Sequence, residues 1–351
     1  MSRGGSGPRV VVVGGGIAGL SLLYELARLG IGATLVERGA IAAQGASSLP
    51  AALLNPHRGR TGRAKELDLA GLNAFWRLAD DLEATGRTTG AHRSGVLRIA
   101  SSARQAELWR TLAGPRWLEP SLVHPPFHAP HGAMLVPQGG WVAGPTLLRS
   151  LAEACRDLGA EVREGVRLSG ATGRSGAMVA ETDQGVLVAD EVILCPGAYG
   201  GENRLPDFER AAGGAVSVRW SASAAGAAAM PSPPPLAGSA CAVFLAGTVV
   251  ITGSAAPARD GGQPVAGEGG GLTTREAERL RGAVAWFLPG IEEAPVIATW
   301  RGVRLRRASG NPVVRRLRSG LTLFGALGGR GFLCAPLLAG RLAQRIAAAY
   351  R

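Results

Sequence analysis

The sequence is almost devoid of lysine. Lys65 is the only lysine among 38 lysine and arginine residues, and with 26 acidic residues the net charge is +12. An excess of positive charge is typical of proteins that bind an anionic partner such as nucleic acid. Alanine, glycine, arginine and proline are abundant together, however, so biased codon usage explains the arginines equally well. No basic block or basic helix decides between the two explanations.

Cysteine and histidine are also scarce. The four cysteines are far apart, with neither a CxxC pair nor the spacing of a metal site, and this predicts reduced, buried thiols in a cytoplasmic protein. All five histidines precede residue 132. Three of them, His124, His128 and His131, lie in HPPFHAPH, where prolines interrupt any regular spacing. We therefore expect a loop there, and no metal site.

Uninterrupted hydrophobic runs of membrane-spanning length are absent from the sequence. The apolar stretch 10–29 contains four glycines and Glu25, and it lacks the small-residue cleavage site of a signal peptide. The uncharged stretch 221–258 is broken by prolines and otherwise alternates like strands. We expect a soluble cytoplasmic protein that does not bind membranes. Its 351 residues predict two domains, or one large domain with an insertion.

The N-terminal segment has the pattern of a dinucleotide-binding unit. A β-branched strand at 10–13 is followed by Gly14, Gly16 and Gly19 at G-x-G-x-x-G spacing, then by a helical pattern and a second strand that ends in Glu37. In such a unit the first glycine permits the turn, the second admits the pyrophosphate, and the third lets helix and strand pack closely. Glu37 would accept hydrogen bonds from a ribose diol. The unit alone fits NAD and FAD equally.

A second glycine-rich turn lies near the C-terminus, in FGALGGRGFLCAPLLAG at 324–340. Its pattern predicts the end of a strand, a turn that contains Gly328, Gly329 and Gly331, and an apolar helix from about residue 332. The N-terminus of a helix carries partial positive charge and free N–H groups. The turn therefore suits an anionic or electron-rich part of a ligand.

Four further segments resemble the D-amino-acid-oxidase superfamily of FAD enzymes. They are GASSLPAALLNPHRG at 45–59, GGWVAGPTLLR at 139–149, VADEVILCPGAYG at 188–200 and TWRGVRLRRASGNPVV at 299–314. The resemblance implies FAD at both glycine turns, the second of which would face the pyrimidine edge of the flavin. It also implies cofactor contacts from Ala46, Ser47, Val166 and Gly197. Since Cys195 and Cys334 lie in apolar segments, we expect the FAD to be non-covalent.

The same resemblance implies the substrate-binding residues. Arg304 occupies the position that binds the substrate carboxylate in the superfamily, and a planar guanidinium suits bidentate binding of a carboxylate. Arg330, inside the second glycine turn, is a further candidate for contact with flavin or substrate, or else a surface arginine. His57 is a candidate for contact with the flavin. The lack of histidine in the substrate-binding half is tolerable, since hydride transfer from a neutral amine needs no positioned base.

Within the superfamily, the motifs are most similar to the FAD-dependent half of the bacterial bifunctional enzymes of tRNA 5-methylaminomethyl-2-thiouridine biosynthesis, and next to glycine oxidase. This implies oxidation of a C–N bond beside a carboxylate, with oxygen as electron acceptor. The preferred candidate substrate is the carboxymethylaminomethyl group of a tRNA uridine. The alternatives are an oxidase of free glycine, sarcosine or D-amino acids, and a flavin-binding protein without turnover.

The fold class expected is α/β, with a discontinuous, glutathione-reductase-like (Rossmann-like) FAD-binding domain and a β-rich substrate domain. The FAD domain would comprise residues 8–86, 138–212 and 300–351, and the substrate domain residues 87–137 and 213–299. The glycine-rich segment 259–271 is expected to be a lid or a plain connector.

Overall fold

The computed structural model describes residues 8–174, 176–200, 207–220, 233–254 and 271–350. Segment 259–271, expected to be a lid or a connector, lies outside the described residues except for Gly271. Residues 221–232 and 255–258 of the uncharged stretch 221–258 also lie outside the described residues. None of the helices in the described ranges has both the length and the apolar character needed to cross a membrane.

The first large sheet carries the N-terminal glycine turn. Its six strands are, in spatial order, β19 (Val313–Arg318), β20 (Leu321–Gly325), β13 (Glu191–Leu194), β1 (Val10–Val13), β2 (Ala33–Glu37) and β9 (Glu161–Glu164). All neighbouring strands run parallel except β19, which is antiparallel to β20. The last residue of β1, Val13, lies opposite Val36 on one side and Leu194 on the other. The carboxyl ends of three strands therefore meet beside the glycine turn, where open α/β sheets bind their ligands.

Four helices share one hydrophobic core with this sheet. They are α1 (Ile17–Arg28), α2 (Glu66–Ala84), α4 (Gly144–Asp157) and α6 (Gly331–Ala349). Helix α1 ends at Arg28, and two residues later Gly30 has a φ of 69°, in the left-handed region that glycine adopts most easily. Phe75 and Phe324 are among the largest fully buried side chains, and both belong to this core. The helical packing thus fixes both glycine turns against one sheet.

The second large sheet is mostly antiparallel. Its eight strands are, in spatial order, β18 (Val296–Arg307), β14 (Phe208–Arg219), β17 (Thr248–Ser254), β16 (Cys241–Leu245), β15 (Leu236–Ala237), β5 (Val96–Ile99), β7 (Ala133–Val136) and β6 (Arg116–Leu118). Helix α5 (Thr274–Ala285) begins with a capping box formed by Thr273 and Glu276 and packs on this sheet through Leu280 and Val284. Helix α3 (Ala103–Arg110) lies beside β7.

Two small sheets complete the described fold. One contains β3 (Ala52–Leu54), β8 (Gly140–Val142) and β4 (Ala91–His92), and the other contains β10 (Leu168–Arg174), β11 (Ala177–Thr182) and β12 (Gly185–Ala189). The mixed α/β class is as predicted, with one sheet of parallel strands and a second, β-rich part. The predicted domain limits at 212/213 and 299/300 fall inside β14 and β18, and the domain division stays a prediction.

Candidate active site

A cavity of about 720 Å³ lies between the two large sheets. One wall is formed by the ends of β1, β2, β13 and β20, and the other by β14, β16, β17 and β18. All but two of the predicted site residues line it: Gly14, Gly16, Glu37, Ala46, Ser47, Val166, Gly197, Arg304, Gly328, Gly329 and Gly331. Gly19 and Arg330 are the two that do not.

The first glycine turn leaves no room for side chains. Gly14 has a φ of 109°, and a β-carbon there would overlap the carbonyl oxygen of Cys195. A β-carbon on Gly19 would overlap the carbonyl oxygen of Gly14, so Gly19 acts in packing α1 on β1. At Gly16 a β-carbon would lie 3.2 Å from the hydroxyl oxygen of Ser47. That hydroxyl accepts a hydrogen bond of 3.1 Å from the N–H of Ile17, which joins the two cofactor-binding segments.

The carboxylate of Glu37 lies at the end of β2, beside the first turn. It accepts hydrogen bonds from the backbone N–H groups of Gly15 (2.6 Å) and Gly39 (3.0 Å). The N–H of Val166 donates to the carbonyl oxygen of Glu37 at 2.8 Å. Glu37 and Val166 therefore lie side by side on the cavity wall, and their contacts with the cofactor stay a prediction.

The second glycine turn meets the first at the start of two helices. A β-carbon on Gly331, at the first position of α6, would lie 3.4 Å from a methyl carbon of Ile17, at the first position of α1. Neither helix has an acidic residue in its first turn. Two positively polarised helix ends therefore face one cavity, an arrangement that favours negative charge in the ligand.

The side chain of Arg330 does not reach this cavity. It is 6% exposed, and its guanidinium donates a hydrogen bond of 2.8 Å to the carboxylate of Asp68 on α2 and another to the carbonyl oxygen of Gly310. Cys334 donates to the same carboxylate at 3.6 Å. The guanidinium therefore links the second glycine turn to α2, which is neither of the roles considered from the sequence.

Arg304 projects from β18 into the substrate side of the cavity. Its Nε lies 3.3 Å from the place of a β-carbon on Gly213, and its Nη1 lies 3.3 Å from that of Gly329. Burial lowers the pKa of Arg304, and the neighbouring positive charge of Arg58 lowers it further. Among the described residues no acceptor bonds to the Arg304 guanidinium, so it is available to an anionic ligand.

Two arginines that lie beside Arg304 at the substrate side of the cavity were not predicted. Arg58 follows His57 in the loop after β3, and its Nη2 lies 3.1 Å from the place of a Gly329 β-carbon. Arg98, on β5, donates hydrogen bonds of 2.8 Å each to the carbonyl oxygens of His57 and Gly59. Burial lowers the pKa of Arg98 to about 10. Arg58, Arg98 and Arg304 are far apart in sequence, so no local pattern shows that they converge.

His57 is buried on the cavity wall. Its Nδ1 is 2.9 Å from the carbonyl oxygen of Gly62, which makes Nδ1 the protonated nitrogen of the neutral ring. Nε2 is buried and has no hydrogen-bond partner in the described part of the chain. Burial lowers the pKa of His57, so the neutral form predominates at neutral pH. As a neutral ring it leaves the positive charge of the cavity to the arginines.

The cysteines are protonated thiols. Burial raises the pKa of all four, to about 12 for Cys155 and Cys334. Cys241 lines the cavity near Arg58, Arg98 and Arg304, whose charges oppose the rise without cancelling it. A neutral thiol is a poor nucleophile, and non-covalent binding of FAD stays a prediction.

The lining of the cavity fits FAD. Any side chain at position 16 would narrow the space in front of the first turn. The glycine keeps this space open, as a pyrophosphate site requires. A carboxylate that can accept hydrogen bonds from a diol stands at the end of the next strand. At the other end, the second glycine turn and the start of α6 offer backbone N–H groups to an electron-rich ring. Backbone donors, one acid and a glycine cradle are the chemistry that a flavin dinucleotide needs.

Comparison with known proteins gives the family. The model of the family described as FAD dependent oxidoreductase (DAO) matches residues 9–345. The tRNA 5-methylaminomethyl-2-thiouridine biosynthesis bifunctional protein MnmC of Maricaulis maris is 30% identical over 339 residues, which cover 96% of this chain and 52% of that protein. The chain thus spans about half the length of that relative. The glycine oxidase of Bacillus licheniformis is 26% identical over 357 residues, which cover 96% of this chain and 92% of that protein.

Solved structures agree on the fold. The crystal structure of glycine oxidase from Geobacillus kaustophilus superposes with a TM-score of 0.78 at 23% identity, and the match covers 97% of this chain and 95% of that one. The predicted fold class, enzyme class and cofactor are confirmed by these matches. The chain belongs to the DAO family of FAD-dependent oxidoreductases.

Proposed function

We propose that the protein oxidises the C–N bond of an amine that carries a neighbouring carboxylate. The observation that carries this proposal is the position of Arg304, whose guanidinium reaches the second glycine turn and has no acceptor among the described residues. A free guanidinium in a cavity is an incomplete ion pair, and a carboxylate completes it with two parallel hydrogen bonds. The carbon next to the carboxylate is thereby held beside the flavin end of the cavity.

One set of residues would bind the cofactor, and a second set would bind the substrate. Gly14, Gly16 and the start of α1 would hold the pyrophosphate, Glu37 the ribose, and residues 328–331 the flavin ring. When bound, FAD supplies the two-electron acceptor that converts the amine to an imine. Arg304 and Arg58 would bind the acidic part of the substrate, and their positive charge favours the neutral, reactive form of the amine over the ammonium.

The products follow from the balance of the reaction. The amine loses two electrons and two protons to become an imine, and water cleaves the imine to a free amine and a carbonyl compound. For a carboxymethyl group on nitrogen, the carbonyl compound is glyoxylate. Oxygen is the proposed final acceptor of the electrons.

The proposed substrate is the carboxymethylaminomethyl group of a uridine in tRNA, which is an N-substituted glycine, and the proposed location is the cytoplasm. Similarity to MnmC over 96% of the chain supports the choice. The net charge of +12 agrees with a polyanionic partner. The second candidate is a free amino acid such as glycine or sarcosine, which the similarity to glycine oxidases favours. A flavoprotein without turnover would not need Arg304 in this position.

The experiment is a reduction assay without oxygen. Purified protein loaded with FAD is mixed with glycine, with sarcosine, or with tRNA that carries the unprocessed carboxymethylaminomethyl group, and the flavin absorbance is followed. The tRNA proposal is supported if tRNA bleaches the flavin and if the bleaching slows steeply as the salt concentration rises. Salt weakens tRNA binding because each contact with a phosphate releases counterions. The second candidate would be established if glycine or sarcosine bleaches the flavin rapidly at every salt concentration and tRNA does not bleach it.

A further inference from the structure

The substrate end of the cavity has an excess of positive charge. Arg58, Arg98 and Arg304 line this end, whereas Glu37 is the only acidic residue among the described residues of the lining. Glu37 lies at the first glycine turn, where Gly15 and Gly39 already donate to its carboxylate. The three arginines thus have no carboxylate partner within the described cavity wall.

The loop that carries Arg58 is held rigidly. Arg98, itself 7% exposed, donates to the carbonyl oxygens of the residues on both sides of Arg58. The side chains of Gln105 and Trp109 each donate at 3.0 Å to the carbonyl oxygen of Arg60. Two N–H groups of Arg98 thus donate to the backbone on either side of Arg58, and these bonds hold the loop in place. The charge left free for a ligand is that of Arg58 and Arg304.

These two guanidiniums converge on one place. Nη2 of Arg58 and Nη1 of Arg304 lie 3.1 and 3.3 Å from the position that a β-carbon on Gly329 would take. No described residue accepts a hydrogen bond from either guanidinium. The two like charges repel each other. Arg304 is half-buried, whereas Arg58 is exposed and the negative charge of Asp68 offsets part of its charge. One carboxylate would neutralise only one of them.

We propose that Arg58 binds a second anionic group of the substrate, beside the carboxylate held by Arg304. The site would then prefer N-substituted glycines whose nitrogen substituent carries another negative charge over glycine and sarcosine, which have one carboxylate. The proposal rests on the proposed oxidation beside a carboxylate. The second group is an oxyanion, either the carboxylate of a small dicarboxylic amine or a phosphate of a nucleotide, and a guanidinium binds both in bidentate fashion.

The test compares two small substrates in the FAD-loaded enzyme. Iminodiacetate is the simplest glycine with a second carboxylate on its nitrogen substituent, and sarcosine has a methyl group in that place. The wild-type enzyme should have the lower KM for iminodiacetate. Arg58→Leu should raise the KM for iminodiacetate about 10- to 100-fold more than the KM for sarcosine, since a charge-assisted contact is lost with only one of them. Arg58→Gln should also raise the KM for iminodiacetate more than the KM for sarcosine, but by a smaller factor.

Arg60→Leu is the matched control. Arg60 belongs to the same loop and is exposed, and its side chain does not line the cavity. This substitution should leave the ratio of the two KM values unchanged. A short RNA hairpin with carboxymethylaminomethyl-uridine, tested with and without the phosphate next to that uridine, separates the two sources of the second oxyanion.

Binding without turnover gives an independent readout. Malonate and acetate, which cannot be oxidised, should perturb the flavin absorbance of the wild-type enzyme, with the tighter Kd for malonate, and Arg58→Leu should abolish this preference. The proposal is overturned if Arg58→Leu weakens both substrates equally, or if it shifts the flavin reduction potential without changing the KM ratio. If malonate binds selectively through Arg58 but no amine reduces the flavin, the proposed oxidation fails while the second anion site stands.

Discussion

The carboxylate of Glu37 is hydrogen-bonded to the backbone N–H of Gly15 at a distance of 2.6 Å. The end of β2 is therefore tied directly to the first glycine turn, between the residues predicted to bind pyrophosphate. Because the second oxygen of the carboxylate accepts from Gly39, Glu37 orders both loops at this end of the cavity. A single acid thus shapes the turn and presents a charge to the ribose.

The first prediction concerns this acid. Glu37→Ala should weaken FAD binding by about 1.5–3 kcal/mol, the value of hydrogen bonds to a charged acceptor. The Kd of FAD, measured by quenching of flavin fluorescence, checks it. Glu164→Ala is the control, because Glu164 is the register partner of Glu37 on β9 and accepts from Ile41 without lining the cavity. Equal losses in the two variants would remove Glu37 from the cofactor site.

The second prediction concerns the packing of α1. Gly19→Ala should lower Tm and FAD content together, because its β-carbon would overlap the carbonyl oxygen of Gly14 and push the helix away from β1. Gly16→Val should abolish FAD binding by filling the space of the pyrophosphate. Gly32→Ala should change neither property, since no heavy atom lies within 4 Å of the added carbon. Full flavin content in Gly16→Val would mean that the phosphates lie elsewhere.

The third prediction concerns the substrate carboxylate. Arg304→Ala should leave the flavin spectrum intact and raise KM by about 30- to 1,000-fold, which corresponds to about 2–4 kcal/mol for a bidentate charged contact. Arg304→Lys should restore part of the affinity, because an ammonium cannot form the planar fork. Arg306→Ala is the control on the same strand, since Arg306 is exposed and paired with Glu209. Wild-type kinetics in Arg304→Ala would contradict the assignment.

The fourth prediction concerns the buried pair of Arg330 and Asp68, whose side chains are 7% and 5% exposed. Arg330→Met should destabilise the protein by about 3–5 kcal/mol, because it leaves the carboxylate buried without its partner. The double variant Arg330→Met with Asp68→Leu should recover much of that loss, and urea unfolding measures both. If the single variant is as stable as the wild type but cannot oxidise substrate, Arg330 acts in chemistry rather than in holding the turn.

The sequence predicted best those parts of the structure that depend on residues close together in the chain. The first glycine turn, β1, β2 and Glu37 lie where the pattern predicts them, because each element follows from residues within a few positions. The GGWVAGPTLLR motif runs into α4 at Gly144–Asp157, and the helix expected from about residue 332 begins at Gly331. In each case a glycine or proline marks the start of the helix.

What the sequence could not show depends on long-range packing. Arg58, Arg98 and Arg304 converge only because β5 and β18 belong to one sheet and the loop after β3 lies against it. The direction of the Arg330 side chain is set by Asp68, 262 residues earlier in the chain. The neighbouring glycines gave no sign of this partner. Side-chain direction and distant partners are decided by tertiary contacts, which a motif does not contain.

The most direct test of the account is the flavin absorbance of the purified, FAD-loaded protein during an oxygen-free titration with N-substituted glycines. The account predicts that the oxidised flavin bands disappear on addition of such a substrate, that glyoxylate is released in equal amount when the substituent lost is carboxymethyl, and that Arg304→Ala requires far more substrate for the same bleaching. A protein that binds FAD normally, but is bleached by neither iminodiacetate, sarcosine nor glycine nor by tRNA with the unprocessed group, would contradict it.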